Sequence, residues 1–234
     1  PGVQIMAMAA DPYLAASRLR EQVPDVVLLD VEMPRMDGIT FMRKLMAQHP
    51  LPVVIASSLT PDGSALAMDA LQAGAVEVVP KPRLDRPEAF AAFAEELATL
   101  LRGAASAKPR PRKTPRPVAN RPPTEGLPHL QYTTDQVVAV GASTGRTEAL
   151  EYILTQLPPD APGMVVVQHM PPGFTQAFAQ RLNSMCRVEV REAQQGMAVQ
   201  RGWVLIAPGN WHAAVVRTGA HYQLHLHQRP PVNR

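Results

Sequence analysis

Two groups of residues in this chain have the types and spacing that chemistry requires. In the first, a carboxylate, a hydroxyl and an ammonium each follow a short apolar run. Asp30 follows residues 26–29, Ser57 and Ser58 follow residues 53–56, and Lys81 comes one residue after the run 76–79. A carboxylate that accepts a phosphoryl group needs a donor for a phosphoryl oxygen and a cation to offset the charge. Asp30 therefore reads as nucleophile, Ser57 as donor and Lys81 as counter-charge. In the second group, residues 137–140 run into Gly141-Ala142-Ser143-Thr144-Gly145, a G-x-S-x-G pattern, and residues 164–168 run into His169. Glycines beside a serine permit a sharp turn that lifts the hydroxyl out of a sheet. An imidazole on the next strand is placed to take the hydroxyl's proton. The plainer readings are solvated strand ends for the first group and a phosphate-cradling loop or a structural histidine for the second.

Either chemistry depends on a parallel sheet, since ligands of open parallel sheets bind at the carboxyl ends of the strands. The runs 26–29, 53–56 and 76–79 are short, apolar and rich in β-branched residues, as strands are. Between them Ile39, Met42, Leu45 and Met46 share one helical face, as do Leu66, Ala70 and Leu71. Residues 89–101, rich in Ala and Leu, form a further helix. Residues 3–8 read as one more strand, followed by a helix from Pro12. The same alternation returns later: strands at 137–140 and 164–168, helices at 146–156 and 172–185, then short strands at 188–191 and 204–207. Residues 212–216 and 222–227 form a hairpin about Thr218-Gly219-Ala220. The expected fold class is α/β, with two doubly wound parallel-sheet domains.

Between the two halves the composition changes. The chain has 234 residues and a net charge of +3, but seven Lys or Arg and no acidic residue lie between Arg102 and Arg121, leaving the rest at −4. Seven prolines fall between residues 103 and 128. Proline removes amide donors and disfavours helix in the residue before it. Residues 103–134 therefore read as an extended Pro/Arg-rich linker between a domain at 1–102 and another at 135–234. No aromatic residues interleave the basic ones, so nucleic-acid binding is not expected. No apolar run approaches the ~20 residues of a membrane span, so the chain is not expected to be membrane-inserted. A single cysteine, Cys186, excludes an intrachain disulfide and fits a reducing cytoplasm.

With these residues in view, two resemblances stand out. Asp30-Val31-Glu32-Met33-Pro34-Arg35-Met36-Asp37-Gly38, with Ser57-Ser58-Leu59-Thr60 and Lys81-Pro82, resembles the response-regulator receiver domain. That resemblance implies a flavodoxin-like topology and phosphorylation of Asp30 by a histidine kinase. It also implies Mg²⁺ held by Asp30 and by the backbone carbonyl of Glu32, with Ser57 and Lys81 supporting the phosphoryl group. It suggests a cis peptide between Lys81 and Pro82. The initial acidic pair of receivers has no counterpart here, and Val78 stands where an aromatic switch residue often sits. Val140-Gly141-Ala142-Ser143-Thr144-Gly145, Gln168-His169-Met170-Pro171-Pro172-Gly173-Phe174-Thr175 and Ile206-Ala207-Pro208-Gly209 together resemble the catalytic domain of the chemotaxis protein-glutamate methylesterase (CheB) family.

That second resemblance implies a phosphorylation-regulated Ser-His-Asp hydrolase that demethylates glutamate methyl esters, and deamidates glutamines, on chemotaxis receptors. Ser143 is then nucleophile, His169 general base, and the amide of Thr144 an oxyanion donor; hydrolysis needs no cofactor. The implied partners are methylated receptors and a chemotaxis histidine kinase. Arg146 stands where the family usually has a second glycine. No Asp follows Asp160, so no catalytic acid is assigned. The chain reads as a fragment, short at both ends and inactive by itself. The alternative is a phospho-acceptor whose second domain only binds a partner; the Ser143–His169 pair discriminates, because a binding module has no need of both. His225 and His227 read as a solvated strand face, Cys186 as a packed thiol and the methionines as core filler.

Overall fold

A computed structural model describes residues 2–32, 38–58, 60–82, 87–107, 136–142 and 147–229, which fall into two compact units divided between residues 107 and 136. In the first unit the elements run α1 (Pro12–Glu21), β1 (Val27–Asp30), α2 (Gly38–Gln48), β2 (Val53–Ser57), α3 (Pro61–Ala73), β3 (Glu77–Pro80) and α4 (Pro87–Ala105). The three strands form a parallel sheet in the order β1-β2-β3, with Asp30 opposite Ala56 and Ser57 opposite Pro80. All three strands thus end at one edge. Val54 and Val79 pack against Leu101 and Ala104 of α4, while Ile55 and Val78, on the other face, are fully buried on the side where α3 meets β2. Burial on both faces explains why β2 is almost continuously apolar, whereas β1 leaves Leu28 exposed.

The helical faces read from the sequence are the buried ones: Ile39, Met42, Leu45 and Met46 are each under a tenth exposed. Asp11 caps α1, its carboxylate accepting from the amides of Tyr13 and Leu14 at 2.9 Å. The expected strand at 3–8 is not formed. Those residues have no regular secondary structure and pair with no described strand, and Ile5 and Met8 are 77% and 81% exposed. An extended run of apolar residues becomes a strand only where a neighbour takes its backbone hydrogen bonds. The expected start of the linker also moves, because α4 continues through Gly103 to Ala105. Ala104 is fully buried against the sheet, which offsets the helical cost of Gly103. Most of the proposed linker lies outside the described residues.

The second unit runs β4 (Val137–Ala142), α5 (Thr147–Thr155), β5 (Gly163–Gln168), α6 (Phe174–Met185), β6 (Glu189–Glu192), β7 (Trp203–Ile206), β8 (His212–Thr218) and β9 (His221–His227). Four strands form a parallel sheet in the order β4-β5-β7-β6, and β8 and β9 make the expected antiparallel hairpin. α6 packs against β6 and β7, and α5 against α6. The sheet face carrying Val165 and Leu205 is covered instead by the hairpin, through Leu224, Tyr222 and Leu226. Among the described residues this sheet therefore has helices on one side and a hairpin on the other, where two-sided helical cover was expected. The two-residue period of β9 explains the difference: Tyr222, Leu224 and Leu226 give it an apolar face that needs a sheet to cover it.

Candidate functional site

At the carboxyl edge of the first sheet the side chains bond to one another. Lys81 Nζ lies 3.0 Å from Asp30 Oδ1 and 2.5 Å from Glu32 Oε2. The Ser58 hydroxyl donates to Glu32 Oε1 at 2.6 Å and lies 2.9 Å from the Thr60 hydroxyl. The Asp30 carboxylate also accepts the amide of Glu32, two residues on, at 2.8 Å. Each contact follows from the strand register. β1 delivers Asp30 and Glu32, β2 delivers Ser58, and β3 delivers Lys81, whose amide donates to the Ser57 carbonyl at 2.8 Å. Gly38 packs the start of α2 against the same place. A Cβ there would lie 2.7 Å from Val31 Cα and 2.9 Å from the Asp30 carbonyl oxygen, so only glycine permits that approach.

The electrostatics follow the contacts. Hydrogen bonds from Lys81, then from Ser58, hold the Glu32 carboxyl below its ordinary value of 4.5 despite some desolvation. Desolvation alone would lower the Lys81 ammonium, but its bonds to Glu32 and Asp30 outweigh that and raise it above 10.5. Both groups are charged at neutral pH.

Of the residues expected at this edge, the structure brings Asp30 and Lys81 together. Ser57 stands at the end of β2 with its side chain fully buried. Ser58 bonds to the charged cluster, and Glu32 enters through its carboxylate as well as its backbone. Sequence reasoning gave Glu32 only a backbone role and Ser58 none; the signal was the adjacency of two serines at one strand end. The peptide between Lys81 and Pro82 is trans, as are all those described, contrary to expectation. Proline narrows the preference for trans to ~0.5–1 kcal/mol without reversing it, and Lys81 makes its contacts with a trans bond following it.

At the carboxyl edge of the second sheet the backbone supplies the order. β4 and β5 pair in register from Val137 opposite Gly163 to Ala142 opposite Gln168. The His169 amide continues the ladder by donating to the Ala142 carbonyl at 3.1 Å. Ala142, which precedes Ser143 in the sequence, thus stands level with the start of the segment that carries His169. The Ser143 and Thr144 assignments, and the Arg146 departure, lie outside the described residues. His169 is exposed, and the carbonyl of this residue accepts from Gln168 Nε2 at 3.2 Å. Met170, next in the chain, is buried.

Elsewhere the expectations divide. Burial, with the Glu151 charge nearby, pushes the Cys186 thiol up to about 11, as a packed thiol requires. His225 is exposed, as expected, but His227 is partly covered: its ring lies 5.2 Å from that of His212, and its Nδ1 is buried without a hydrogen-bond partner. Among the described residues, no group of three or more His, Cys, Asp or Glu could hold a metal ion, and no helix is long and apolar enough to cross a membrane.

Comparison with known proteins bears on both edges. The response regulator receiver domain family matches residues 1–92, and the CheB methylesterase family matches residues 138–234. A protein-glutamate methylesterase/protein-glutamine glutaminase of Rhodopseudomonas palustris is 49% identical over 242 residues, covering 100% of this chain and 66% of its own length. One from Anaeromyxobacter dehalogenans is 51% identical over 244 residues, covering 100% of this chain and 67% of its own length. The crystal structure of the Thermotoga maritima CheB methylesterase catalytic domain is 39% identical over 43% of this chain and 53% of that one, with a TM-score of 0.41. The chain thus spans about two thirds of the length of the relatives it matches. On these matches, the chain belongs to the CheB family of protein-glutamate methylesterases.

Proposed function

We propose that this chain is part of a phosphorylation-controlled serine hydrolase that demethylates glutamate methyl esters, and deamidates glutamines, on chemotaxis receptors. The observation that carries the reading is the register of β4 with β5. Ala142 and Gln168 are paired, and Ser143 and His169 follow them directly. Adjacent strands lie about 5 Å apart, and a serine that follows Ala142 in sequence, beside a histidine that follows Gln168, suits a nucleophile–base pair. The names of the relatives give the same two activities.

The chemistry follows from these groups. Ser143 Oγ attacks the ester carbonyl as His169 takes its proton. The oxyanion that forms accepts a hydrogen bond from the Thr144 amide, the donor that the motif beside the nucleophile offers. Collapse expels methoxide, which leaves as methanol with the proton from His169; a glutamine leaves ammonia instead. Water, deprotonated by His169, then cleaves the acyl-serine and returns a glutamate side chain.

Control comes from the first unit. A chemotaxis histidine kinase phosphorylates Asp30, and Ser57 and Lys81 receive the phosphoryl oxygens. The donors that end β1, the Asp30 carboxylate and the Glu32 backbone carbonyl, are hard oxygens of the kind Mg²⁺ takes along with water and phosphate. Mg²⁺ bound there would neutralise charge on the phosphoryl group. Phosphotransfer from a kinase and a single free cysteine both suit the cytoplasm.

The test is Ser143→Ala in the full-length protein. Methanol release from methylated receptors should be abolished, while phosphoryl uptake at Asp30 is retained. Release persisting beyond the ~10³–10⁴-fold over water that binding and oxyanion contacts alone supply would mean that another residue is the nucleophile.

A further inference from the structure

Three loops meet behind His169, and one buried hydroxyl ties them together. Thr175, in the first turn of α6, is fully buried. Its hydroxyl donates to Glu192 Oε1, at the end of β6, at 2.5 Å. The same oxygen accepts the amide of Gly209, in the loop after β7, at 3.3 Å. Gly209 in turn is wedged against the segment that follows His169. A Cβ on it would lie 2.6 Å from Pro172 N, 2.7 Å from the Met170 carbonyl oxygen and 2.7 Å from the Pro171 carbonyl carbon. All three are backbone atoms of the loop between β5 and α6, so no side-chain rotation could make room.

The path from Glu192 to His169 is short and made of rigid parts. The carboxylate fixes the hydroxyl through a short charge-assisted bond. The hydroxyl orients the Gly209 amide, and the Gly209 backbone presses on residues 170–172. Upstream, the His169 amide is pinned to Ala142. The imidazole is exposed, so its aim depends on the backbone on either side of it. Hydrophobic packing alone would not call for a hydroxyl here, since a buried hydroxyl costs free energy unless it is bonded.

We propose that Thr175 and Glu192 are positioning residues for His169, holding the loop at the end of β5 so that the imidazole is fixed for its role as base. The proposal rests on the reading of His169 as the general base. Neither residue touches substrate; they act through the Gly209 backbone. A displacement of about 1 Å at a reacting group is enough to cost ~100-fold in rate.

The experiment compares wild type, Thr175→Ser, Thr175→Val, Glu192→Gln and His169→Gln in the full-length protein. The readouts are kcat and KM for a methylated receptor, the pH profile of kcat/KM, and the melting temperature. Thr175→Val should lower kcat by about 10–100-fold, with KM within about twofold of wild type. The limb of the pH profile that reports the base should move or broaden. Thr175→Ser, which keeps the hydroxyl, should restore kcat to within about threefold, and Glu192→Gln should fall between the two. If Thr175→Val is folded at the assay temperature with wild-type kcat and pH profile, the positioning role is overturned. It is also overturned if Thr175→Ser loses as much kcat as Thr175→Val, since the lost contact would then be the packing and not the hydroxyl. His169→Gln separates the two claims: activity at wild-type level there would remove the general-base reading itself, whereas an inactive His169→Gln beside a fully active Thr175→Val would remove only the positioning.

Discussion

The two sheet edges solve the placement of reactive groups in opposite ways. At the first, charged side chains hold one another: Lys81 lies between Asp30 and Glu32, and Ser58 holds the far oxygen of Glu32. At the second, the backbone is held and the imidazole of His169 stands exposed. On the proposed function, an edge that receives a charged group in an occasional event can be satisfied internally until the event, when an incoming phosphoryl group would compete with Glu32 for Lys81. An edge that must turn over repeatedly benefits from a side chain left for substrate and a backbone that does not move.

The largest effect expected from this contrast is at Asp30. Asp30→Asn should abolish phosphoryl uptake from a small-molecule donor, read as loss of the covalent label, because Asp30 is the carboxylate that ends β1 itself, 3.0 Å from Lys81. A label still present on this chain, mapped to Glu32, would show that the internally paired edge has two acceptors.

Smaller effects follow at Glu32. Its exposed ion pair with Lys81 is of a kind worth roughly 0–1 kcal/mol, so Glu32→Gln should speed phosphoryl uptake by about two- to fivefold. An unchanged rate would mean that Glu32 does not compete for Lys81. The pH dependence has a definite sign. Because the carboxyl of Glu32 is held below its ordinary value in the fold, its contribution to stability is complete above that value and is lost as pH falls through the lowered one. Urea midpoints measured between neutral and acid pH should therefore fall less steeply at the acid end in Glu32→Gln than in wild type.

The smallest effect is expected at Cys186. A thiol pushed up to about 11 is only ~0.1% thiolate at pH 8, and thiolate is the reactive form. Thiol-labelling reagents should modify the folded protein slowly at pH 8 and quickly once it is unfolded in urea. Fast labelling of the folded chain would contradict its burial.

How much of this was legible in the sequence depends on how far apart the partners lie. The strands, the helical faces and the edge positions of Asp30, Lys81 and His169 follow from local periodicity and strand order. The bonds from Glu32 to Ser58 and to Lys81 span 26 and 49 residues, and they depend on the register in which three strands meet. That Ser58 bonds to Glu32 depends on which way each residue faces where β2 ends, and two adjacent serines give no local clue. The Thr175–Glu192 bond spans 17 residues and joins a helix start to a strand end, so the motif around Phe174 and Thr175 was visible while its partner was not. The 3–8 segment failed in the opposite sense: its local pattern was strand-like, but a strand is a property of a pair.

The most direct test of the central claim, that the ends of β4 and β5 form a nucleophile–base pair, is covalent labelling of the full-length protein with a fluorophosphonate, mapped by mass spectrometry. The reagent reports an activated serine without needing receptor or phosphorylation. The account predicts a single adduct on Ser143, formed at least ~100-fold more slowly in His169→Gln, the lower end of what a general base contributes. An adduct on another residue, or equal rates in the two proteins, would contradict it.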